Sequence, residues 1–345
     1  SNLSTSQYTK YVGATIEGTN FYGDLQSMIK KAEKDQTVKL LSDIDLSETK
    51  LQTLAGQYDT YFLVEGKAIT VNLNGKIISG AYTGDMLVGV FSTDNNGKLT
   101  LTGDGTVDVT ATGKVYTLIT AFNDGSSVII ENGTYKLDKA SDSLIYYGGN
   151  TDAELIVKGG TFELGNVGKG ENGKPWIFNT YGAGDHHILI TGGTFNANIN
   201  RQHWSNEAIV DKNCYVVENN GTWTVKSGAV AYVATGMTTG NFYAPKDIGY
   251  ATIEEAIAAA VERNDVNITL LKDVQLTQDV EISIPGIVLN TNGHNFDCNG
   301  NKIILTAADA TLKAPAGLNV VSDEETYYVT YSNSNGVYSL AQYVA

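Results

Sequence analysis

Basic residues are scarce in this chain of 345: arginine occurs only at Arg201 and Arg263, and 23 Lys+Arg against 38 Asp+Glu leave a formal charge of −15. A surface that neutralises phosphates needs a cationic stripe, so nucleic acid is not expected as a partner, and anionic lipid is a poor one. The two cysteines, Cys214 and Cys298, are too few for a disulfide framework, and the sequence alone does not decide whether they meet. No apolar run approaches the roughly 18 to 20 residues of a membrane span. The opening Ser1-Asn2-Leu3-Ser4 shows no charged-then-apolar leader, so a trimmed, soluble chain is expected.

What is abundant points to strands. Hydrophobic residues make up 42% and charged ones 18%, which excludes disorder. Thirty-seven glycines beside 20 tyrosines and only 4 prolines suit many short strands joined by glycine turns, and exclude an all-helical fold.

A repeat organises them. Glycine, then a small or polar residue, then an apolar or aromatic one recurs as Gly75-Lys76-Ile77, Gly105-Thr106-Val107, Gly133-Thr134-Tyr135, Gly160-Thr161-Phe162, Gly193-Thr194-Phe195 and Gly221-Thr222-Trp223, at intervals of 30, 28, 27, 33 and 28 residues. A second β-rich run precedes each glycine (ITVNLN, KLTLTG, SVIIEN, ELIVKG, HILITG, CYVVEN). A third precedes that (YFLVEG, MLVGVF, YTLITAF, LIYYG, WIFNTYG, EAIVDK). Three short strands per unit fit one coil of a parallel β-helix, an all-β fold whose corners need residues tolerant of positive φ. The Asn132-Gly133 pair is a hairpin signal and keeps an antiparallel sandwich as a rival. Leucine-rich repeats lack their LxxLxL strand here, and propeller blades need longer units.

Stacked coils place equivalent residues about 4.8 Å apart. Ile77, Val107, Tyr135, Phe162, Phe195 and Trp223 are then expected to form one internal column, with Trp223 closing its end. Thr106, Thr134, Thr161, Thr194 and Thr222 should form an outer row. Ile129, Ile156, Leu189 and Val216 alternate with inward candidates and should also face outward in consecutive coils. Such an apolar column calls for a cover: a loop, the C-terminal segment or a second subunit.

Residues 22–47 have a counterpart at 250–277: Leu25, Met28 and Ile29 match Ile253, Ala256 and Ile257, and Leu40-Leu41-Ser42-Asp43 matches Leu270-Leu271-Lys272-Asp273. Thr252 with Glu255 reads as a capping box opening a short amphipathic helix, suited to plugging a coil stack. The likeness continues from Asn72-Leu73-Asn74-Gly75 to Asn290-Thr291-Asn292-Gly293. The chain divides accordingly into a main β-helix over 1–226, a connector over 227–245 and a shorter related module over 246–345, either separate or stacked as one.

The sequence YATIEEAIAAA, followed by ITLLKDVQLT and VLNTNG and combined with GGTF coils, resembles bacterial cell-surface and secreted proteins with pectin-lyase-like right-handed β-helices, over most of residues 20 to 300. The resemblance implies a right-handed β-helix with three strands per coil, in an exported, extracellular or cell-surface protein that meets glycans or other surfaces. It does not specify an activity, because this architecture hosts lyases, hydrolases, adhesins and passive scaffolds.

Loops leaving equivalent strands lie side by side, so Trp176, Tyr181, Asp185, His186, His187, Arg201, His203, Trp204 and Glu207 are the expected ligand-binding cluster, with aromatic faces for sugar rings and polar groups for hydroxyls. An enzymatic alternative takes Arg201 or a histidine as a lyase base, or Asp185 with Glu207 as an acid and base pair for glycoside hydrolysis. A calcium-binding carboxylate cluster is not legible, and His186-His187 as strand neighbours point to opposite faces, so neither metal nor cofactor is expected. The reading is a non-catalytic, adhesin-like β-helix protein that binds a polysaccharide or surface glycan. Its rivals are a polysaccharide lyase or hydrolase and a passive scaffold.

Overall fold

A computed structural model describes residues 13–123, 125–148, 154–168, 174–180, 187–200, 209–234 and 247–344. Within them the chain forms a right-handed parallel β-helix of about 8 turns with two short helices. It comprises two compact units: Ser1–Ile209 with Val217–Val225, and Val210–Val216 with Lys226–Ala345. The strand Ala231–Ala234, inside the stretch read as a connector, is hydrogen-bonded into the sheet of the second unit.

Three sheets wall the first unit. The first stacks Thr37–Leu40, Ala68–Asn72, Lys98–Thr102, Ser127–Ile130, Glu154–Val157 and His187–Ile190 in parallel. The second runs from Ile44–Asp45 through Ile77–Tyr82, Thr106–Ala111, Thr134–Leu137 and Thr161–Leu164 to Thr194–Phe195. The third stacks Tyr58–Glu65, Leu87–Asp94, Ile119–Ala121, Ser143–Tyr147 and Trp176–Thr180. The glycines of the repeat make the corner before the second sheet. Gly133, Gly160 and Gly193 have φ of +102°, +102° and +103°, and a Cβ on Gly160 would stand 3.0 Å from the Gly133 carbonyl oxygen. Only a residue without a side chain fits both demands.

The internal column forms as its period-two pattern requires. Val107, Tyr135, Phe162 and Phe195 are successive register partners, all buried. The Tyr135 and Phe162 rings stack at 5.4 Å and 16°, those of Phe162 and Phe195 at 5.0 Å and 11°. Each such pair contributes about 0.5–1.5 kcal/mol beyond its buried area.

Both ends of the column depart from the sequence reading. Thr106 pairs with Ile77 and Val107 with Ile78, so Ile78 is fully buried and Ile77 is 46% exposed. Lys76 intervenes between Gly75 and the strand, and a slip of one residue reverses every side chain. At the other end Thr222–Ser227 runs antiparallel to Thr194–Phe195, pairing Trp223 with Phe195 and Thr224 with Thr194. Trp223 is only half-buried and closes no parallel column. Thr224, not Thr222, ends the threonine row, its hydroxyl 3.3 Å from that of Thr194. The reason is a hairpin: Asn220 and Gly221 both have positive φ, and Cys214–Asn219 lies beside Thr222–Ser227.

Each unit carries one helix near its start, and both helices use the same device. In α1 (Leu25–Lys31) Asp24 caps by accepting from the Ser27 N–H at 2.9 Å. In α2 (Ile253–Arg263) Thr252 and Glu255 form the expected capping box. The second residue of each helix is a nearly buried polar group turned toward the coils: Gln26, 7% exposed, and Glu254, 8% exposed. Gln26 donates to the Leu63 carbonyl at 3.0 Å and accepts its N–H at 2.8 Å, occupying a strand edge that the short neighbour Gln52–Leu54 does not reach. Glu254 accepts the Thr277 N–H at 2.5 Å and its hydroxyl at 3.0 Å. Burial pushes the Glu254 carboxyl up, but the hydrogen bonds from Thr277, and one from Gln278, outweigh it and hold the group below its ordinary range.

The duplicated corner matches atom for atom. Asn74 and Asn292 take φ of 50° and 52°. Their N–H groups donate to Asn72 and Asn290, each at 2.9 Å, and their amides donate to the Leu40 and Leu270 carbonyls of the preceding coil at 2.7 and 3.2 Å. Asp43 and Asp273 each accept a backbone N–H of the next coil at 2.8 Å. A third copy, not apparent from the sequence pattern, is Asp297-Cys298-Asn299-Gly300, with the Asn299 N–H on Asp297 at 2.7 Å.

In urea unfolding, Phe162→Ala should lower the stability of the first unit by roughly 3–5 kcal/mol, whereas Ile77→Thr should change it by no more than about 0.5 kcal/mol. Because the folded-state pKa of Glu254 lies below its unfolded value, its stabilisation is complete above the ordinary carboxyl range and is lost as pH falls through the lowered value. Glu254→Gln, which copies Gln26, should flatten that acid-side loss in unfolding curves recorded from neutral to acidic pH.

Candidate functional site

Along the third sheet, Phe62, Phe91, Ile119, Ile145 and Phe178 form an inward ladder with essentially no exposure. Alternation therefore sends Leu63, Ser92, Thr120, Tyr146 and Asn179 to the outside. On this outer surface lies a groove of about 280 Å³. Its walls are aromatic: Tyr58, Tyr116, Phe122 and Tyr146, all half-buried. Val88, Thr117 and Thr120 form its floor, with Met86 and Asp142 completing the lining. These residues come from four successive coils, so the groove runs across the strands for three inter-strand spacings, roughly 14 Å.

The walls are held in place. Tyr58 and Phe122 meet at 5.6 Å with planes at 60°, and the Lys114 ammonium sits 4.6 Å over the Tyr116 ring. The floor hydroxyls are engaged, Thr117 donating to the Leu144 carbonyl at 3.0 Å and Thr120 to that of Val88. Below Tyr58 and Met86, the buried Tyr82 phenol donates to Asp59 and accepts the Met86 N–H at 3.1 Å, while Asp59 N–H donates to the Met86 carbonyl at 3.0 Å. Burial first, and then the bond to Asp59, push the Tyr82 phenol up to about 12.

Asp142 is the charged residue of the lining. It accepts from Asn179 Nδ2 at 2.7 Å and from the Ser143 hydroxyl at 3.1 Å, and pairs with Lys174 Nζ at 3.1 Å. Asn179 and Lys174 belong to the following coil, so one carboxylate ties two coils together at the groove.

Of the expected cluster, Trp176 is placed: half-buried on the third sheet opposite Ser143, one coil beyond Asp142, with Lys174 Nζ 5.7 Å from its ring. His187 begins the strand His187–Ile190, but its side chain is outside the described residues, as are Tyr181, Asp185, His186, Arg201, His203, Trp204 and Glu207. Among the described residues no group of three or more His, Cys, Asp or Glu is arranged to hold a metal ion. Cys214 and Cys298 are not joined to each other, and burial, followed by Asp211, pushes the Cys214 thiol up. Among the described residues no helix is long and apolar enough to cross a membrane.

The outward column of the first sheet runs through Thr70, Thr100, Ile129, Ile156 and Leu189. Ile129 and Ile156 are half-buried and Leu189 is 38% exposed. Val216 is not in it, because the Asn220-Gly221 hairpin carries its strand to the second sheet. Beside Ile129 the same face has a second groove, of about 210 Å³, with Lys98 and Glu154 at its edge.

The aromatic groove itself went unread in the sequence. A signal for it exists: Tyr116 and Phe122 bracket the run YTLITAF, Tyr58 precedes YFLVEG by three residues, and Tyr146 falls at the outward parity of LIYYG. Comparisons of the sequence with protein-family models and curated proteins, and of the fold with solved structures, return no significant match.

Tyr82→Phe removes the donor to Asp59 and the acceptor for Met86 beneath the groove. It should cost about 1–3 kcal/mol in urea unfolding, and should remove one tyrosine from the late-ionising group in an alkaline absorbance titration, because the Tyr82 phenol is pushed up.

Proposed function

We propose that this chain is a non-catalytic, adhesin-like β-helix protein of a bacterial cell surface that binds carbohydrate in the groove on its third sheet. The observation that carries the reading is the composition of that groove: four aromatic side chains and one carboxylate, drawn from four consecutive coils and fixed in orientation before any ligand arrives. Aromatic faces stack on the apolar faces of sugar rings, and a carboxylate accepts from vicinal hydroxyls. A pre-set site loses little entropy on binding. Location at a bacterial surface rests on the resemblance to pectin-lyase-like secreted β-helices. Acid–base cleavage of a glycosidic bond calls for a pair of carboxylates, and Asp142 is the carboxylate in the groove's lining.

A glycan array followed by calorimetry with the best ligands tests this. Tyr116→Ala and Tyr146→Ala should each weaken binding by about tenfold, equivalent to about 1.4 kcal/mol, with no release of reducing ends from any ligand. Binding that survives both substitutions but is abolished by Trp204→Ala would move the site to the loops around 166–187 and 200–207. Turnover lost on Asp142→Asn would replace the binding reading with an enzymatic one.

A further inference from the structure

We infer that the groove is built for an uncharged, extended, β-linked polysaccharide chain and discriminates against uronate chains, an inference that rests on the carbohydrate-binding reading above. Its first support is geometric. Tyr58, Tyr116 and Tyr146 stand on the first, third and fourth coils of the third sheet, with Met86 and Val88 from the second between them, so the lining advances across the strands in steps of the inter-strand spacing, about 4.8 Å, with an aromatic side chain on three of the four coils. A pyranose in an extended β-linked chain advances by nearly the same distance, so successive sugars of a straight chain fall in step with successive coils. An α-1,4-linked glucan curls away from such a line after two or three residues. The equatorial hydroxyls of a β-linked ribbon also leave its flat faces apolar, which suits walls of Tyr and Phe over a Val88 floor.

The second support is charge. Among the described residues, Lys174 is paired with Asp142, and Lys114 lies over the Tyr116 ring. The other acid beneath the rim, Asp59, is held by Tyr82. What the lining itself presents is the Asp142 carboxylate, about one-fifth exposed. A uronate in register with the fourth coil would set a second carboxylate against it, on a protein whose formal charge is already −15. A neutral sugar can instead donate its hydroxyls to Asp142 while Lys174 stays in place.

Calorimetry on the full chain at low ionic strength, where charge effects are least screened, can decide this with cellohexaose, xylohexaose, mannohexaose, maltohexaose and β-1,4-linked hexamannuronate as probes, the last differing from mannohexaose only in its carboxylates. The expected result is that at least one neutral β-linked hexaose binds at least about tenfold more tightly than both hexamannuronate and maltohexaose, and that Asp142→Asn, whatever it costs the neutral ligands, raises hexamannuronate affinity relative to mannohexaose by about fivefold or more. The wild-type comparison stands without the variant, should Asp142→Asn fail to fold. Hexamannuronate binding as tightly as every neutral probe, or maltohexaose binding best, overturns this inference and leaves carbohydrate binding intact. If no oligosaccharide binds, both fall together.

Discussion

Everything in the first unit depends on the parallel hydrogen-bond ladder that holds each coil in register on the one before. A ladder of this kind has one spacing, and side chains alternate along each strand, so a residue type repeated once per coil becomes a continuous row. The Tyr135, Phe162 and Phe195 rings stack because their strands are locked at that distance, and the tyrosines outside the third sheet form a groove for the same reason. Core and surface are two readings of one register.

A ladder needs an end, since unpaired strand edges recruit further strands. The protein answers twice with a helix, and in both cases the second helical residue does the work: Gln26 serves both backbone groups of Leu63, and Glu254 accepts from Thr277. The amide can donate and accept, so it imitates a strand. The carboxylate only accepts, so it tolerates a donor-rich edge and brings acid sensitivity with it. The corner asparagines form another duplicated device, each carrying a side-chain amide back to the carbonyl of the preceding coil.

The places where the register changes show what a pattern can and cannot carry. Gly75-Lys76-Ile77 looks like the other corners, yet one intervening residue turns Ile77 outward and Ile78 inward. Gly221-Thr222-Trp223 repeats the motif in letters and reverses it in space, because Asn220-Gly221 closes a hairpin. Asn132-Gly133, with the same two residues, continues the parallel stack. Identical dipeptides take different turns when the neighbouring coil offers, or fails to offer, a partner for the next strand. The outer Ile129, Ile156 and Leu189 column survives because none of its strands is touched by that hairpin, and Val216 drops out because its own strand is.

From the letters alone came the coil architecture, the aromatic column, the capping box at Thr252 and the kinship of the two helices, all of which follow from period-two alternation and local backbone chemistry. The groove did not. Tyr58, Tyr116, Phe122 and Tyr146 are spread over almost ninety residues without a shared local motif, and what makes them one surface is the lateral order of the third sheet, the outward parity of Tyr116, Phe122 and Tyr146, and, for Tyr58, the register shift at Asp59/Thr60. Asp142 shows the same limit: its partners Lys174 and Asn179 lie a full coil away, and only winding the chain brings those donors to its carboxylate.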